Sequence, residues 1–173
     1  GECCMVIAAE KDGWIKIENK FDGYAGWCSQ SQVEVVDEAY YSADNNRLAA
    51  DWVNEITYGG LRMYVPLGSV LRDMDVNSTW VPARAKKEAA TVKEIACKFL
   101  NSSYLWGGKS VFGIDCSGFT QSVFKFLDIP LLRDAHQQAA QGELVGFLEE
   151  ARCGDLAFFD NPEGQIIHVG ILL

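Results

Sequence analysis

Histidine and proline are scarce in this chain, with two and four residues among 173, and 24 acidic side chains outnumber 15 basic ones. The net charge of −9 argues against a nucleic-acid groove or an anionic membrane surface, since either needs a basic excess. No uninterrupted apolar run reaches the ~18 residues of a membrane span, and no basic, apolar leader opens the chain. No Cys-x-x-Cys pair occurs among Cys3, Cys4, Cys28, Cys97, Cys116 and Cys153. That spacing supports neither a disulfide framework nor structural zinc, so no metal is expected. Free buried thiols in a reducing compartment are the expectation for most of them. What the chain does have is apolar and aromatic residue, 49% and 12%, enough for one ordinary domain or two small ones. It begins at Gly1 and ends on the apolar run Val169 to Leu173, which reads as a strand cut in mid-sheet. The expectation is a piece of a longer protein.

Residues 5–36 read as short strands joined by tight turns. Lys11-Asp12-Gly13 precedes the alternating Trp14-Ile15-Lys16-Ile17-Glu18, and Phe21-Asp22-Gly23-Tyr24 turns the chain again. Ala25 to Cys28 and Val33 to Val36 supply two more strands, and the spacing indicates a small antiparallel barrel, with barrel core as the first reading of Trp14 and Trp27 and a ligand-groove role as the second. Residues 39–83 give a weak signal, with Leu61 to Pro66 extended and Ser78 to Pro82 as a linker. An amphipathic helix is predicted over 84–100 from Ala85, Ala89, Val92, Ile95, Ala96, Phe99 and Leu100. A second runs from Cys116 to Leu127, stopped by Ile129-Pro130, and a short third from Ala135 to Gln141. A hairpin follows, Leu156 to Phe159 returning as Ile166 to Leu173 through Asn161-Pro162-Glu163-Gly164. Helices first and an antiparallel sheet afterwards make an α+β domain.

Cys116 differs from the other cysteines in its setting. A glycine-rich approach, Tyr104-Leu105-Trp106-Gly107-Gly108, leads to Gly113-Ile114-Asp115, and an apolar-periodic helix follows. A thiol at the first turn of a helix lies beside unpaired N–H groups and the positive end of the macrodipole, conditions that favour a thiolate. The same N–H groups suit an oxyanion. The base must come from two histidines: His168, on an otherwise apolar strand, or His136, on the short helix and the weaker candidate. A helix-start Cys and a later strand His follow the order of papain-like enzymes.

The segments Y-L-W-G-G, G-I-D-C-S-G-F, L-R-D-A-H-Q-Q, G-D-L-A-F-F and H-V-G-I run in this order over residues 104–171. They closely resemble the NlpC-type family of cell-wall cysteine peptidases, and D-G-W-x-x-I with G-Y-x-G-W resembles the bacterial SH3-like domain that accompanies them. The resemblance implies three parts: residues 1–38, SH3-like and lacking its first strand; 39–83, an associated segment and linker; and 84–173, the papain-like peptidase domain. It makes Cys116 the nucleophile and His168 the base. Tyr104 would line the cleft, and Asp115 and Ser117 would help hold the free N-terminus of the substrate. Trp106 reads as core. The family's Pro-Arg is Leu132-Arg133 here, and the residue that orients the histidine is expected beyond Leu173.

The implied activity is hydrolysis of the γ-D-glutamyl-diamino acid bond in peptidoglycan stem peptides carrying a free L-Ala terminus, with no cofactor. An amidase or acyltransferase on the same fold is the runner-up. A non-catalytic peptidoglycan-binding protein with a degenerate peptidase domain is the rival from another class. A recycling role implies the cytoplasm, and the periplasm or cell wall is the alternative.

Overall fold

The computed structural model describes residues 1–9, 12–43, 47–72, 74–83 and 88–173. The N-terminal strands are β1 (Cys4–Ala9), β2 (Trp14–Asn19) and β3 (Ala25–Ser29), an antiparallel sheet in that order. On β2 and β3, Lys16 faces Trp27 and Trp14 faces Ser29, so both tryptophans share one face of the sheet. That face is open: Trp14 and Trp27 are 50% and 48% exposed, and Ile15, on the opposite face, is the buried residue. The expectation of a tryptophan core therefore fails, because the strand's period-two alternation puts Ile15 inside. Val33 to Val36 form no strand. A 3-10 turn at Gln30–Gln32, capped by Ser29, interrupts the chain, and Val35 is almost wholly exposed.

The next residues form α1 (Glu38–Ser42), β4 (Arg47–Ala49), β5 (Val53–Tyr58), β6 (Leu61–Pro66), β7 (Asp75–Val76) and β8 (Trp80–Pro82). Two more small sheets result, β4 with β8 and β6-β5-β7. The predicted linker at Ser78 to Pro82 is thus replaced by a strand, with Leu48 opposite Val81. Buried Arg72 donates to the carbonyl oxygens of Tyr40 and Ala43, satisfying the C-terminal end of α1.

The helical part comprises α2 (Ala89–Cys97), the short strands β9 (Lys109–Ser110) and β10 (Gly113–Ile114), α3 (Cys116–Phe126) and α4 (Ala135–Ala139). The hairpin β11 (Leu156–Asp160) and β12 (Ile166–Ile171) closes the chain. Positions 84–87 of the predicted first helix lie outside the described residues, as does Lys11 of the first turn; Leu100, assigned to the apolar stripe, is 62% exposed. The α2 stripe of Val92, Ile95 and Ala96 packs with Phe99, Val123, Phe126 and Leu127 in one core. Leu48, Leu67 and Ala83 belong to the same core, so the β4–β8 part of the chain and the helices share buried surface. Phe99 and Phe119 meet edge to face at 5.9 Å. None of the six cysteines is fully buried, contrary to expectation, and all are free. Among the described residues no helix is long and apolar enough to cross a membrane, and no cluster of His, Cys, Asp or Glu could hold a metal ion.

Candidate active site

Cys116 is the first residue of α3, half-buried, and Asp115 is its N-cap. The Asp115 side chain accepts from Gly118 N–H at 2.7 Å, and its carbonyl accepts from Phe119 N–H at 2.9 Å. The N–H groups of Cys116 and Ser117, ahead of these, have no partner among the described residues, as expected at a helix start. They are the donors available for an oxyanion formed at the sulfur's target.

Asp115 has a larger duty than capping. Oδ2 accepts from Gly107 N–H at 2.8 Å and from Arg133 at 2.7 Å, while Oδ1 takes a second Arg133 bond at 3.1 Å. Arg133 also donates to Ser117 Oγ at 3.0 Å, and that hydroxyl lies 3.4 Å from Asp115 Oδ1. Burial alone would raise the Asp115 carboxyl. The Arg133 bonds and the N–H groups of Gly118 and Gly107 outweigh it and hold the group below the ordinary carboxylate range. A carboxylate has about four lone-pair sites, and here they are spent on the fold. These bonds make Asp115 a placing group for the turn that carries Cys116, with Ser117 drawn into the same knot.

The glycine-rich approach is laid along β10. Tyr104 forms a bridge with Ile114, and Leu105 N–H bonds to Ile114 O at 3.1 Å. Gly107 adopts φ +81°, which lets its N–H turn onto Asp115. Gly118 has no room for a side chain: a Cβ there would fall 2.3 Å from Gly108 O. The approach loop and the helix that Cys116 opens touch at backbone level. Tyr104 and Trp106 are 69% and 86% exposed, so Trp106 is surface and not core.

α3 packs against β12, the strand that carries His168. His168 is exposed, and its ring lies 5.7 Å from that of Phe159, its partner across the hairpin, tilted by 47°. His136 is exposed on α4, which also packs against β12.

Sequence reasoning missed two buried groups. Arg133 passed as a minor motif change, though an arginine 18 residues from the carboxylate it needs is signalled only by the L-R-D motif. Asp22, in the Phe21-Asp22-Gly23-Tyr24 turn, accepts from Lys109 at 3.2 Å and Gln121 at 3.0 Å. This pins the N-terminal sheet to β9 and α3. Burial pushes Asp22 up, but Lys109, Tyr24 N–H and Gln121 together draw it below its ordinary value.

Residues 101–173 match the NlpC/P60 family profile. Two curated relatives are named γ-D-glutamyl-L-lysine dipeptidyl-peptidase. The one from Bacillus subtilis (strain 168) is 31% identical over 194 aligned positions, covering 96% of this chain and 65% of the relative. The one from Bacillus cereus (strain ATCC 10987) is 40% identical over 77 positions, 43% of this chain and 23% of its own length. The chain therefore spans less than two thirds of these relatives. A solved NlpC/P60 family protein from Bacillus cereus ATCC 10987 superposes over 98% of this chain and 67% of its own, with TM-score 0.81 and 21% identity, so residues 101–173 and the strands before them share that fold.

Proposed function

We propose that this protein is a cysteine peptidase that hydrolyses the γ-D-glutamyl-diamino acid bond of peptidoglycan stem peptides. The observation that carries the reading is Cys116 at the unpaired first turn of α3, packed on the strand of His168. In this scheme the Cys116 thiolate attacks the γ-D-glutamyl carbonyl, and first-turn N–H groups hold the oxyanion. His168 gives its proton to the leaving amine, then takes one from water as that water attacks the thioester and frees Cys116. No cofactor is needed for these steps.

The names of the two curated relatives support L-lysine as the diamino acid. We read the N-terminal strands as an SH3-like module closing one end of the cleft, which selects peptides with a free L-Ala terminus. Asp22 supports this by tying the turn to β9 and α3. Tyr104, exposed beside the nucleophile's approach loop, would line the cleft. Murein recycling in the cytoplasm is the setting we propose.

The test is L-Ala-γ-D-Glu-L-Lys incubated with the full chain and its Cys116→Ala variant, products resolved by mass. Release of L-Ala-γ-D-Glu by the wild type alone is expected. An intact tripeptide, or equal cleavage by the variant, overturns the reading.

A further inference from the structure

Resting on that reading, we infer that Gln138 is a positioning residue, acting through the backbone of Ser117 to hold the nucleophile's turn. Gln138 is 2% exposed although its side chain is wholly polar. Its Nε2 donates to Ser117 O at 3.0 Å and to Leu132 O at 2.8 Å, and its Oε1 accepts from Thr120 Oγ1 at 2.7 Å. Thr120 is completely buried, and its hydroxyl also lies 2.9 Å from Ser117 O.

The peptide unit joining Ser117 to Gly118 is therefore gripped at both ends. Gln138 holds its carbonyl and Asp115 holds its N–H at 2.7 Å. A planar peptide fixed at both ends cannot rotate, and the N–H groups of Cys116 and Ser117 immediately before it inherit that orientation. Misaiming such donors is costly, because an oxyanion site works by geometry set before reaction.

Gln138 is one of three glutamines fastening the segment before α4. Gln141 donates to Pro130 O at 3.1 Å, Gln121 to Leu131 O at 2.8 Å and Gln138 to Leu132 O at 2.8 Å. Three successive carbonyls are each bound by a different side chain, which delivers Arg133 to Asp115. Only Gln138 also reaches the carbonyl of a residue flanking Cys116. Because α4 packs on β12 as well as α3, the same residue ties the nucleophile's turn to the strand of the proposed base.

The experiment uses the full chain with Gln138→Leu, Thr120→Val and Thr120→Ser. Two readouts are taken: kcat and KM on L-Ala-γ-D-Glu-L-Lys, and the iodoacetamide alkylation rate of the Cys116 peptide by mass spectrometry. Thr120→Val keeps the shape and removes the hydroxyl, so kcat is expected to fall about five- to tenfold, as for one net hydrogen bond. KM stays within about twofold and Cys116 alkylation slows in parallel, while Thr120→Ser keeps both rates near wild type. Gln138→Leu leaves two carbonyls and a hydroxyl without this partner and is expected to cost about 10- to 100-fold. Equal rates in the Val and Ser variants overturn the inference. If Gln138→Leu does not fold, the Thr120 pair still decides. If the wild type leaves the tripeptide intact, the functional reading fails, and the Val-to-Ser alkylation ratio still tests Gln138.

Discussion

Asp115 and Asp22 are both buried carboxylates held below their ordinary range, yet the company they keep is different. The partners of Asp115 lie 2 to 18 residues away, at Ser117, Gly118, Gly107 and Arg133. Those of Asp22 include Lys109 and Gln121, 87 and 99 residues away. The arginine facing Asp115 is as hidden as the carboxylate, at 8% and 9% side-chain exposure, whereas the Lys109 side chain is 35% exposed. The first arrangement is a local knot that shapes one turn. The second is a latch between distant parts of the chain, with one half open to water. Removing half of a buried pair strands a charge, whereas an exposed lysine can turn to solvent.

The largest effect is therefore expected at the knot. Asp115→Ala leaves Arg133 buried without its counter-charge and removes the cap of α3, at a cost of about 3–5 kcal/mol in urea unfolding. Asp22→Ala should cost less, about 1–3 kcal/mol, because Lys109 rehydrates and only Gln121 loses a buried partner. A cost for Asp22→Ala equal to that for Asp115→Ala would erase the distinction. The latch would then be as closed to solvent as the knot.

Acid sharpens the same comparison. Each carboxyl has a folded pKa below its unfolded one, so the folded state binds fewer protons there. The stability they contribute is fully present above the unfolded value of about 3.9 and is lost as pH falls through the lower folded value. Urea midpoints measured from about pH 5 to about pH 3 should fall for the wild type. Asp115→Asn and Asp22→Asn should each flatten that fall, and a variant with the full wild-type slope would show its carboxylate to be no part of the acid response.

The half that carries Cys116 was largely legible because its signals are local. A glycine-rich approach, an N-cap aspartate and an apolar stripe announce α3 from Cys116 onward, and Asn161 to Gly164 announces the β11–β12 turn. The middle of the chain was not legible. β4 and β8 are three residues each and pair across more than 30 positions, and no local periodicity encodes such a partner. The Asp115–Arg133 knot was hidden for a related reason. Asp115 is visible beside Cys116, but Arg133 lies 18 residues on, and no local periodicity pairs the two. Trp14 and Trp27 show the limit of composition, since an aromatic residue in a strand names no face until the register is known.

The smallest effect is expected at a second contact with the helices, made by the β4–β5 connection, where it tests which contact carries the docking. Trp52 Nε1–H donates to the carbonyl of Lys98, the C-cap of α2, and Lys98 Nζ donates back to Ala50 O at 3.4 Å. Carbonyls at a helix end lack partners within the helix, so the indole satisfies one of them. Trp52 is 41% exposed, however, and water can replace the bond. Trp52→Phe keeps an aromatic ring and loses the donor, for a cost of about 0.5 kcal/mol in urea unfolding. If it destabilised the chain more than Asp22→Ala, the sheets would be held chiefly at α2.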